Sequence, residues 1–495
     1  MVLLGFGNFS AFAQDDQDYA QRPTTTVDST FQLSSFQLPE FRRRALTTEY
    51  GLSNQFRTHK SHQLWQYHND WSDREESRKS LENYFSLNGN IVFSDIHYTR
   101  NHQKETYISS NIKFDTEYYR NRVADPSAIN NKLNIAPYVD FRQVNRRYLN
   151  ESLFVGYNPS IAYGLTVHRE REKQKENYDN KTNQISQNLR TQVRLEVGHG
   201  RIEQVGDARH AIHIFDALAR RGITSSVKSS DDIIRFAEFI AELKNKRFLD
   251  ARHRKIYEME ALDSFLLANG FRDTLSMAYF TTLEDFWVHG NTNRASGKQW
   301  VFFTAPGYDF GPTKTKSYRD GDVILDAYQS EHFLHTMFGI SFIYERPINL
   351  FWQNSFSSSL VYRQRNIRWM GKSKLTDEKG IFYRFWPGAS YSLNQRISYF
   401  PTTRTSAYVG YHLFYNFLES TSLTSNFKNT NHSFNVNVNA GASYFFSPQL
   451  QLKLDAGLWY SHNKGDARNF NNSDFKSRAS NFIFPVELSL NYTFY

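Results

Sequence analysis

Apolar and polar residues alternate with a period of two over several long stretches of this chain. Between Phe434 and Phe446 every even-numbered residue is apolar or aromatic, whereas the odd-numbered ones are mostly asparagine, glycine or serine. The same alternation runs from Leu450 to Tyr460, after a turn at residues 447–449. Successive side chains of a strand point to opposite faces, so the pattern predicts β-strands with one apolar and one polar face.

Similar segments, among them residues 108–118 and 189–197, recur with the length of about ten residues that a tilted membrane strand requires. A soluble β-sandwich would also alternate, but aromatic residues at both ends of many long strands favour a membrane barrel. The sequence therefore predicts an all-β transmembrane barrel of about 14 antiparallel strands, with about 12 as the alternative count. Its two parts are residues 81–200 and 291–495.

Loop lengths give these strands a direction, because periplasmic turns are short and external loops are long in such barrels. The predicted periplasmic turns are residues 148–152, 345–349, 400–403 and 447–449. The predicted external loops are residues 170–181, 370–380, 420–431 and 461–477. With these directions, the C-terminus and residues 201–290 lie on the periplasmic side.

Residues 201–290 carry the period of α-helices instead of strands. Asp207 is placed to cap a first helix that ends at Gly222, and Ser229 with Asp232 forms the capping-box pattern of a second. A third helix ends at Gly270, and residues 273–288 supply a fourth. The sequence thus predicts a helical insert that is far longer than a periplasmic turn requires, and either plugs the lumen or docks a periplasmic partner.

The N-terminus has the pattern of an export signal. An apolar stretch ends in Ala11-Phe12-Ala13, so residues 1–13 are predicted to be a signal peptide. Residues 14–80 are polar with weak periodicity and are predicted to form a periplasmic leader. An exported chain with this strand pattern is expected in the outer membrane of a Gram-negative cell.

The last residues resemble the C-terminal strand of outer-membrane barrels, where alternating apolar residues and a terminal aromatic residue serve as the assembly signal. Apolar residues occupy one face from Phe482 to Phe494. The residues assigned to this signal are Leu488, Leu490, Tyr492, Phe494 and Tyr495. The resemblance implies that the barrel-assembly machinery inserts the chain among outer-membrane lipid and lipopolysaccharide.

The helical segment resembles that of a group of outer-membrane proteins found in Bacteroidota, in which helices interrupt a barrel. The resemblance rests on Gly200-Arg201-Ile202-Glu203, Asp207-Ala208-Arg209, Leu243-Lys244-Asn245-Lys246-Arg247-Phe248 and Ala261-Leu262-Asp263-Ser264-Phe265. It implies the barrel fold and the compartment. It carries over no catalytic or binding residue, because the group has no assigned activity.

Composition changes this picture little. The 495 residues are 16% aromatic and include no cysteine, which fits an exported barrel with aromatic girdles. The net charge is +9, but lysine and arginine are interspersed with acidic residues and form no dense basic block. Nucleic acid is therefore not an expected partner.

Charged residues on the predicted inner face are the candidate functional residues, because they either pair and close the lumen or line a water path and set its ion preference. The set contains both positively and negatively charged residues. These lumen-lining candidates are Lys113, Asp115, Glu117, Lys132, Asp140, Arg142, Arg190, Arg194, Glu196, Lys453, Asp455 and Glu487.

Catalytic and metal-binding patterns are weak. His210 and His213 lie three residues apart on a predicted helix, but without a third ligand they are interpreted as surface histidines. Ser406 and His412 share an inward face with a spacing that does not suit a hydrolase. We expect no enzymatic activity, no cofactor and no metal.

Two functions remain open. One is a gated or plugged channel for solute passage, which requires a water path past the insert. The other is a non-enzymatic envelope scaffold whose insert docks a periplasmic protein, which requires an exposed binding face on the helices.

Overall fold

The computed structural model describes residues 31–65, 74–122, 128–174, 178–224, 228–246, 251–272, 275–289, 294–373, 379–422, 428–447, 450–468 and 474–492. In this part of the chain, the strands form one antiparallel sheet and pair in sequence order. They are β1 (Phe41–Trp65), β2 (Arg74–Tyr98), β3 (His102–Arg122), β4 (Ala128–Tyr148), β5 (Leu153–Gln174), β6 (Tyr178–Gln204), β7 (Ala295–Arg319), β8 (Asp322–Pro347), β9 (Trp352–Ser373), β10 (Lys379–Tyr399), β11 (Thr405–Ser422), β12 (Lys428–Phe445), β13 (Leu450–Arg468), β14 (Asp474–Ile483) and β15 (Val486–Tyr492).

The last two of these form one continuous barrel strand with a single interruption. Trp459 of β13 pairs with Ile483, and Ala456 pairs with Val486, so β14 and β15 follow β13 in one register. Pro485 lies between them and has no N–H to donate to the ladder. The prediction of about fourteen strands is therefore confirmed, with β1 and β14 as the edges of the sheet among the described residues.

The strand registers divide the sheet into two faces, because directly paired residues project to the same side. We call one the apolar face; it includes Leu195, Phe302 and Leu360, which are 48%, 59% and 53% exposed. The other, the polar face, includes Arg190 and Asp309, which are paired between β6 and β7. Apolar side chains exposed on strand after strand are characteristic of a lipid-facing barrel wall.

One end of the sheet carries five turns of three to five residues and the long connection between β6 and β7; we call it the short-turn end. The opposite end also has short connections, such as residues 320–321 between β7 and β8. The turns of the short-turn end are residues 99–101, 149–152, 348–351, 400–404 and 446–449, of which 448–449 lie outside the described residues. The predicted turns at 148–152, 400–403 and 447–449 fall there. The turn predicted at 345–349 lies at 348–351 instead, because the β8 ladder continues to Pro347.

The predicted external loops are wrong in extent. Most of residues 370–380, 420–431, 461–477 and 170–181 belong to strands; β9, for example, continues to Ser373 and β10 begins at Lys379. The backbone N–H and C=O groups of polar residues pair in a ladder as well as those of apolar residues do. The strands therefore continue where the alternation of apolar residues ends. Strands β1 to β13 have 18 to 27 residues, about twice the membrane-spanning length.

The leader predicted over residues 14–80 is also wrong in part, since β1 and the first residues of β2 lie within it. The apolar face of β1 does carry Leu46, Tyr50 and Leu52, which are 38%, 77% and 71% exposed. Polar residues among them weaken the alternation enough to hide the strand. The predicted signal peptide at residues 1–13 lies outside the described residues.

In the described parts of the connection from β6 to β7, at the short-turn end, there are four helices: α1 (Gly206–Arg220), α2 (Ser230–Asn245), α3 (Ala251–Ala268) and α4 (Met277–His289). The predicted capping box is present, with Ser229 and Asp232 bonding each other's backbone N–H. Gly222 and Gly270, after α1 and α3, have positive φ angles of 67° and 64°, which glycine adopts without strain. None of the described helices has the length and apolarity to cross a membrane.

A single hydrophobic core joins these helices to the segment that precedes β1. Phe36 is fully buried and Leu33 nearly so, and both belong to the cluster that contains Phe215 and Phe236. Phe215 and Phe236 are 4.9 Å apart between ring centroids. Residues 31–38 therefore fold as part of the helical segment.

Candidate functional site: the helical segment and the polar face

Two buried arginines attach the helical segment to the turns of the short-turn end. Arg294, just before β7, donates to the carbonyl oxygens of Asn349 and Trp352, both at 2.7 Å, and to that of Leu350. Arg209 of α1 donates to the Leu350 oxygen at 3.0 Å and to the Phe400 oxygen at 3.2 Å. The carbonyl groups of Asn349, Leu350 and Phe400 lie in turns outside the strand ladders, and these bonds lay the helices across this end.

Both guanidinium groups are held where charge is unfavourable. Burial lowers the pKa of Arg209 to about 9, with a further contribution from nearby Arg294. Burial alone lowers the pKa of Arg294 to about 10. Since a buried cation is tolerated only when its donors are satisfied, the carbonyl contacts compensate for the burial of these two charges.

A second, more exposed contact lies at the edge of the helical segment. Asp285 of α4 forms an ion pair with Arg404 in the turn before β11, and the two side chains are 37% and 29% exposed. His289 lies 6.2 Å from Phe445 between ring centroids. Burial and the nearby Arg404 lower the pKa of His289, and Asp285 partly offsets this.

The interpretation of His210 and His213 as surface histidines is wrong, because both are buried. His210 Nε2 lies 2.8 Å from the Phe286 carbonyl oxygen, and its ring stacks on Trp287 at 5.3 Å between centroids. His210 faces α4, a neighbour that local sequence does not reveal. The described residues include no group of three potential ligands that could hold a metal ion.

His213 should make the helical segment sensitive to acid. Burial, and then the charges of Arg209, Arg294 and Arg220, lower its pKa well below the ordinary value. The unfolded chain takes up a proton near pH 6.5 whereas the folded segment does not, so stability is complete above about pH 6.5 and falls below it. We expect His213→Gln to reduce the destabilisation between pH 7.5 and 5.0 by up to about 2 kcal/mol.

Thermal unfolding at the two pH values, followed by circular dichroism at a helix-sensitive wavelength, measures this effect. His462→Gln is the matched control, because His462 is partly exposed on β13 and hydrogen-bonds Ser480 of β14, within the sheet. Equal acid sensitivity of the His213 variant and the unmodified protein would contradict the assignment.

The registers place all twelve predicted lumen residues on the polar face. Several form ion pairs within or across strands. The pairs are Lys113–Asp115 at 3.0 Å, Lys132–Glu117 at 3.4 Å, Arg142–Asp140 at 2.6 Å, Arg190–Asp309 at 3.5 Å, Arg194–Glu196 at 3.1 Å and Lys453–Asp455 at 2.7 Å. Glu487 lies opposite Asp455 in register. Their role in lining a water path remains a prediction.

Glu196 is the most enclosed of these carboxylates. Its side chain is fully buried and accepts from Arg146 Nε at 2.6 Å and Arg194 Nε at 3.1 Å. The Arg194 guanidinium also lies 3.7 Å from the centre of the Phe303 ring. Three strands, β4, β6 and β7, are thereby cross-linked on the polar face, which rigidifies this part of the wall.

The polar face also contains a cavity of about 420 Å³ between β2 and β6. It is lined by Tyr84, Asp115, Glu117, Lys132, Asn134, Thr166, His168 and Gln184. Tyr84 donates to Asp115 Oδ1 at 2.9 Å. Three of the predicted lumen residues, Asp115, Glu117 and Lys132, thus line one cavity. The sequence pattern did not show that they lie together.

Several charged residues of the polar face were missed by the sequence analysis. They are Asp309 on β7, His335 on β8, and Arg363 and Arg365 on β9. The alternation of polar and apolar residues along these strands would have identified them. Of the pair Ser406 and His412, the structure bonds Ser406 to Ser443 at 2.8 Å, while His412 Nε2 lies 3.1 Å from Ser392 Oγ.

The predicted assembly signal is described only in part. Leu488 and Leu490 lie on the apolar face and are 69% and 63% exposed, and Tyr492 ends β15. Phe494 and Tyr495 lie outside the described residues.

A sheet of long antiparallel strands with an exposed apolar face, a charged polar face and one helical insert is the fold of a transmembrane β-barrel. Solved structures with a similar fold include the ferric yersiniabactin uptake receptor FyuA from Yersinia pestis, at 6% identity over 92% of this chain and 73% of that chain, TM-score 0.32. The CymD monoaromatic hydrocarbon channel is 9% identical over 98% and 94%, TM-score 0.27. The transport unit of the autotransporter AIDA-I from Escherichia coli is 9% identical over 97% and 99%, TM-score 0.24.

No protein-family model matches the chain, and no curated protein does. The solved structures are too distant for their activities to be transferred to it.

Proposed function

We propose that this protein is an integral channel of the Gram-negative outer membrane, with the polar face lining a path for solutes and the helical segment gating it. The observation that carries the proposal is the attachment of the helices, through Arg209 and Arg294, to turns at one end of the sheet. A segment fastened across one end of a barrel is positioned to control entry there. We assign that end to the periplasm, because the strands are about twice the membrane-spanning length and their polar extensions, which correspond to external loops, lie at the opposite end.

The ion pair between Asp285 and Arg404 provides a test of gating that leaves the buried core intact. Its two side chains are partly exposed, so the pair contributes at most about 1 kcal/mol. We expect Arg404→Asp to shift the open-to-closed ratio by up to about fivefold towards open, because two carboxylates then repel each other. Single-channel recording in planar bilayers measures this ratio.

The charge swap Asp285→Arg with Arg404→Asp restores an attractive pair and should return the ratio to that of the unmodified protein. Lys255→Asp is the control, since Lys255 pairs with Glu284 within the helical segment and touches no turn in that pair. If the single variant, the swap and the unmodified protein are all silent although folded, the channel proposal is wrong and the lumen is closed.

The alternative is a non-enzymatic scaffold whose helices dock a periplasmic protein. A specific observation favours it: Leu267, Leu275 and Met277 are 57%, 62% and 80% exposed on α3, α4 and the loop between them. Exposed apolar residues outside the lipid-facing wall are typical of protein contacts. A photo-crosslinking residue at position 277 would form a discrete adduct in intact cells if the scaffold proposal holds, and none if the helices act only as a gate.

The proposal carries expected partners that follow from an outer-membrane location. The apolar face would contact lipid and lipopolysaccharide, and Leu488, Leu490 and Tyr492 would be recognised by the barrel-assembly machinery during insertion. It includes no catalytic step, no cofactor and no nucleic acid.

A further inference from the structure

One ladder row of the sheet carries several buried nitrogen atoms on the polar face. The registers pair Gln192 with Gly307, Gly307 with His335, His335 with Arg365, and Arg365 with Trp386. These residues cross five neighbouring strands, β6 to β10, at one level and on one side. We call Gln192, His335, Arg365 and Trp386 the donor row.

The four side chains of the donor row each have a buried nitrogen without a hydrogen-bond partner among the described residues. The atoms are Gln192 Nε2, His335 Nδ1, Arg365 Nε and Trp386 Nε1. His335 is only 7% exposed. Buried N–H groups are almost always hydrogen-bonded, so three such groups and one imidazole nitrogen in one row indicate a place where an acceptor binds.

The charge around the donor row is positive. Arg190, Arg363 and Arg365, together with Asp309, are all close enough to His335 to act on it electrostatically. Asp309 Oδ1 lies 3.5 Å from Arg190 Nε, and Asp309 Oδ2 lies 3.9 Å from His335 Nδ1. Three guanidinium groups around one carboxylate leave an excess of positive charge, which selects an anion over a neutral acceptor.

Gly307 makes room for this arrangement. A Cβ atom there would lie 2.3 Å from His335 Nε2 and 2.8 Å from the Thr191 carbonyl oxygen. The imidazole therefore lies directly over the β7 backbone, between Gln192 and Arg365, and continues the row without a gap.

We propose that the donor row binds the carboxylate or phosphate group of an anionic solute in the lumen, at Arg365 and its neighbours in the row, His335 and Trp386. Strands lie about 4.8 Å apart, so Gln192, three strands from Arg365, contacts another part of the solute or its water. Donors dominate the row, and guanidinium groups recognise carboxylate and phosphate oxygens through several N–H groups at once. The role of the bound anion as a transported solute rests on the proposed channel function, whereas the binding of an anion at the donor row does not.

Isothermal titration of the full chain, folded in detergent micelles, with inorganic phosphate tests the site directly. We expect Arg365→Gln to raise the Kd for phosphate at least about tenfold, because one charged donor is lost. Trp386→Phe removes one N–H without changing charge and should raise it about fivefold. Arg142→Gln is the matched control: it removes the same charge from the polar face, at an exposed residue paired with Asp140, and should leave the Kd within about twofold.

The reversal potential in a potassium chloride gradient separates this inference from the proposed channel. A conducting protein that binds phosphate should prefer anions, and Arg365→Gln should reduce that preference more than Arg142→Gln does. Conductance without phosphate binding would overturn the donor-row site and leave the channel intact. Phosphate binding without conductance would keep the site and overturn the channel. Equal loss of binding in the Arg142 and Arg365 variants would show general attraction to the wall and overturn the site.

Discussion

Replacing Arg209 with methionine is expected to detach the helical segment from the barrel. Methionine preserves most of the buried volume but removes the donors to the carbonyl oxygens of Leu350 and Phe400. Loss of the donors to the Phe400 and Thr402 carbonyl oxygens costs about 1–3 kcal/mol each, whereas the Leu350 oxygen keeps its bond from Arg294. Limited proteolysis of the folded protein should then cut within residues 206–289, which the unmodified protein protects.

Arg220→Met is the control for this experiment. Arg220 lies on the same helix and pairs with Asp216 at 2.8 Å, and the two side chains are 23% and 6% exposed. Its replacement also leaves a buried group without its charged partner, but this pair includes no turn of the sheet, so protection should persist. Equal protection of the Arg209 and Arg220 variants would mean that the hydrophobic core alone holds the segment.

Replacing Gly200 with alanine is expected to prevent correct assembly of the β6–β7 pair, through which the chain enters and leaves the helices. Gly200 has φ of +100°, and a Cβ there would lie 2.0 Å from the Lys298 carbonyl oxygen. Gly297 on the opposite strand has φ of +127° and would clash equally closely with the Arg201 carbonyl oxygen. The backbone strain costs about 1–3 kcal/mol, and the overlap with backbone atoms destabilises the fold further. We therefore expect loss of most of the folded protein.

Gly222→Ala separates the two contributions. Gly222 also has a positive φ, 67°, but a Cβ there would meet nothing within 4 Å. Only the conformational cost of about 1 kcal/mol remains, so this variant should fold. For both variants, the measurement is the fraction of the protein that stays folded in cold detergent and therefore runs as the folded form on a gel. Normal folding of the Gly200 variant would show that the two strands can separate at this point.

The candidate site was predictable only where local pattern determines it. The alternation of polar and apolar residues determines which face of its strand each residue occupies, and the twelve charged residues therefore fall on one face together. Which of them meet depends on register between strands far apart in sequence: Arg146 and Glu196 are fifty residues apart. Gln192, His335 and Trp386 are still more distant, and their common row could not be derived from any one segment.

The sequence by itself determined the elements whose causes are local. Alternation produced the strands around residues 434–460, the Ser229–Asp232 capping box began α2, and Gly222 and Gly270 marked helix ends, because each depends on neighbours within a few residues. Tertiary structure alone decided that polar residues before position 80 join the sheet, since their partners in β2 and β3 complete the ladder. It also decided that His210 and Arg209 are buried, because the groups that cover and satisfy them come from residues at least 76 positions away.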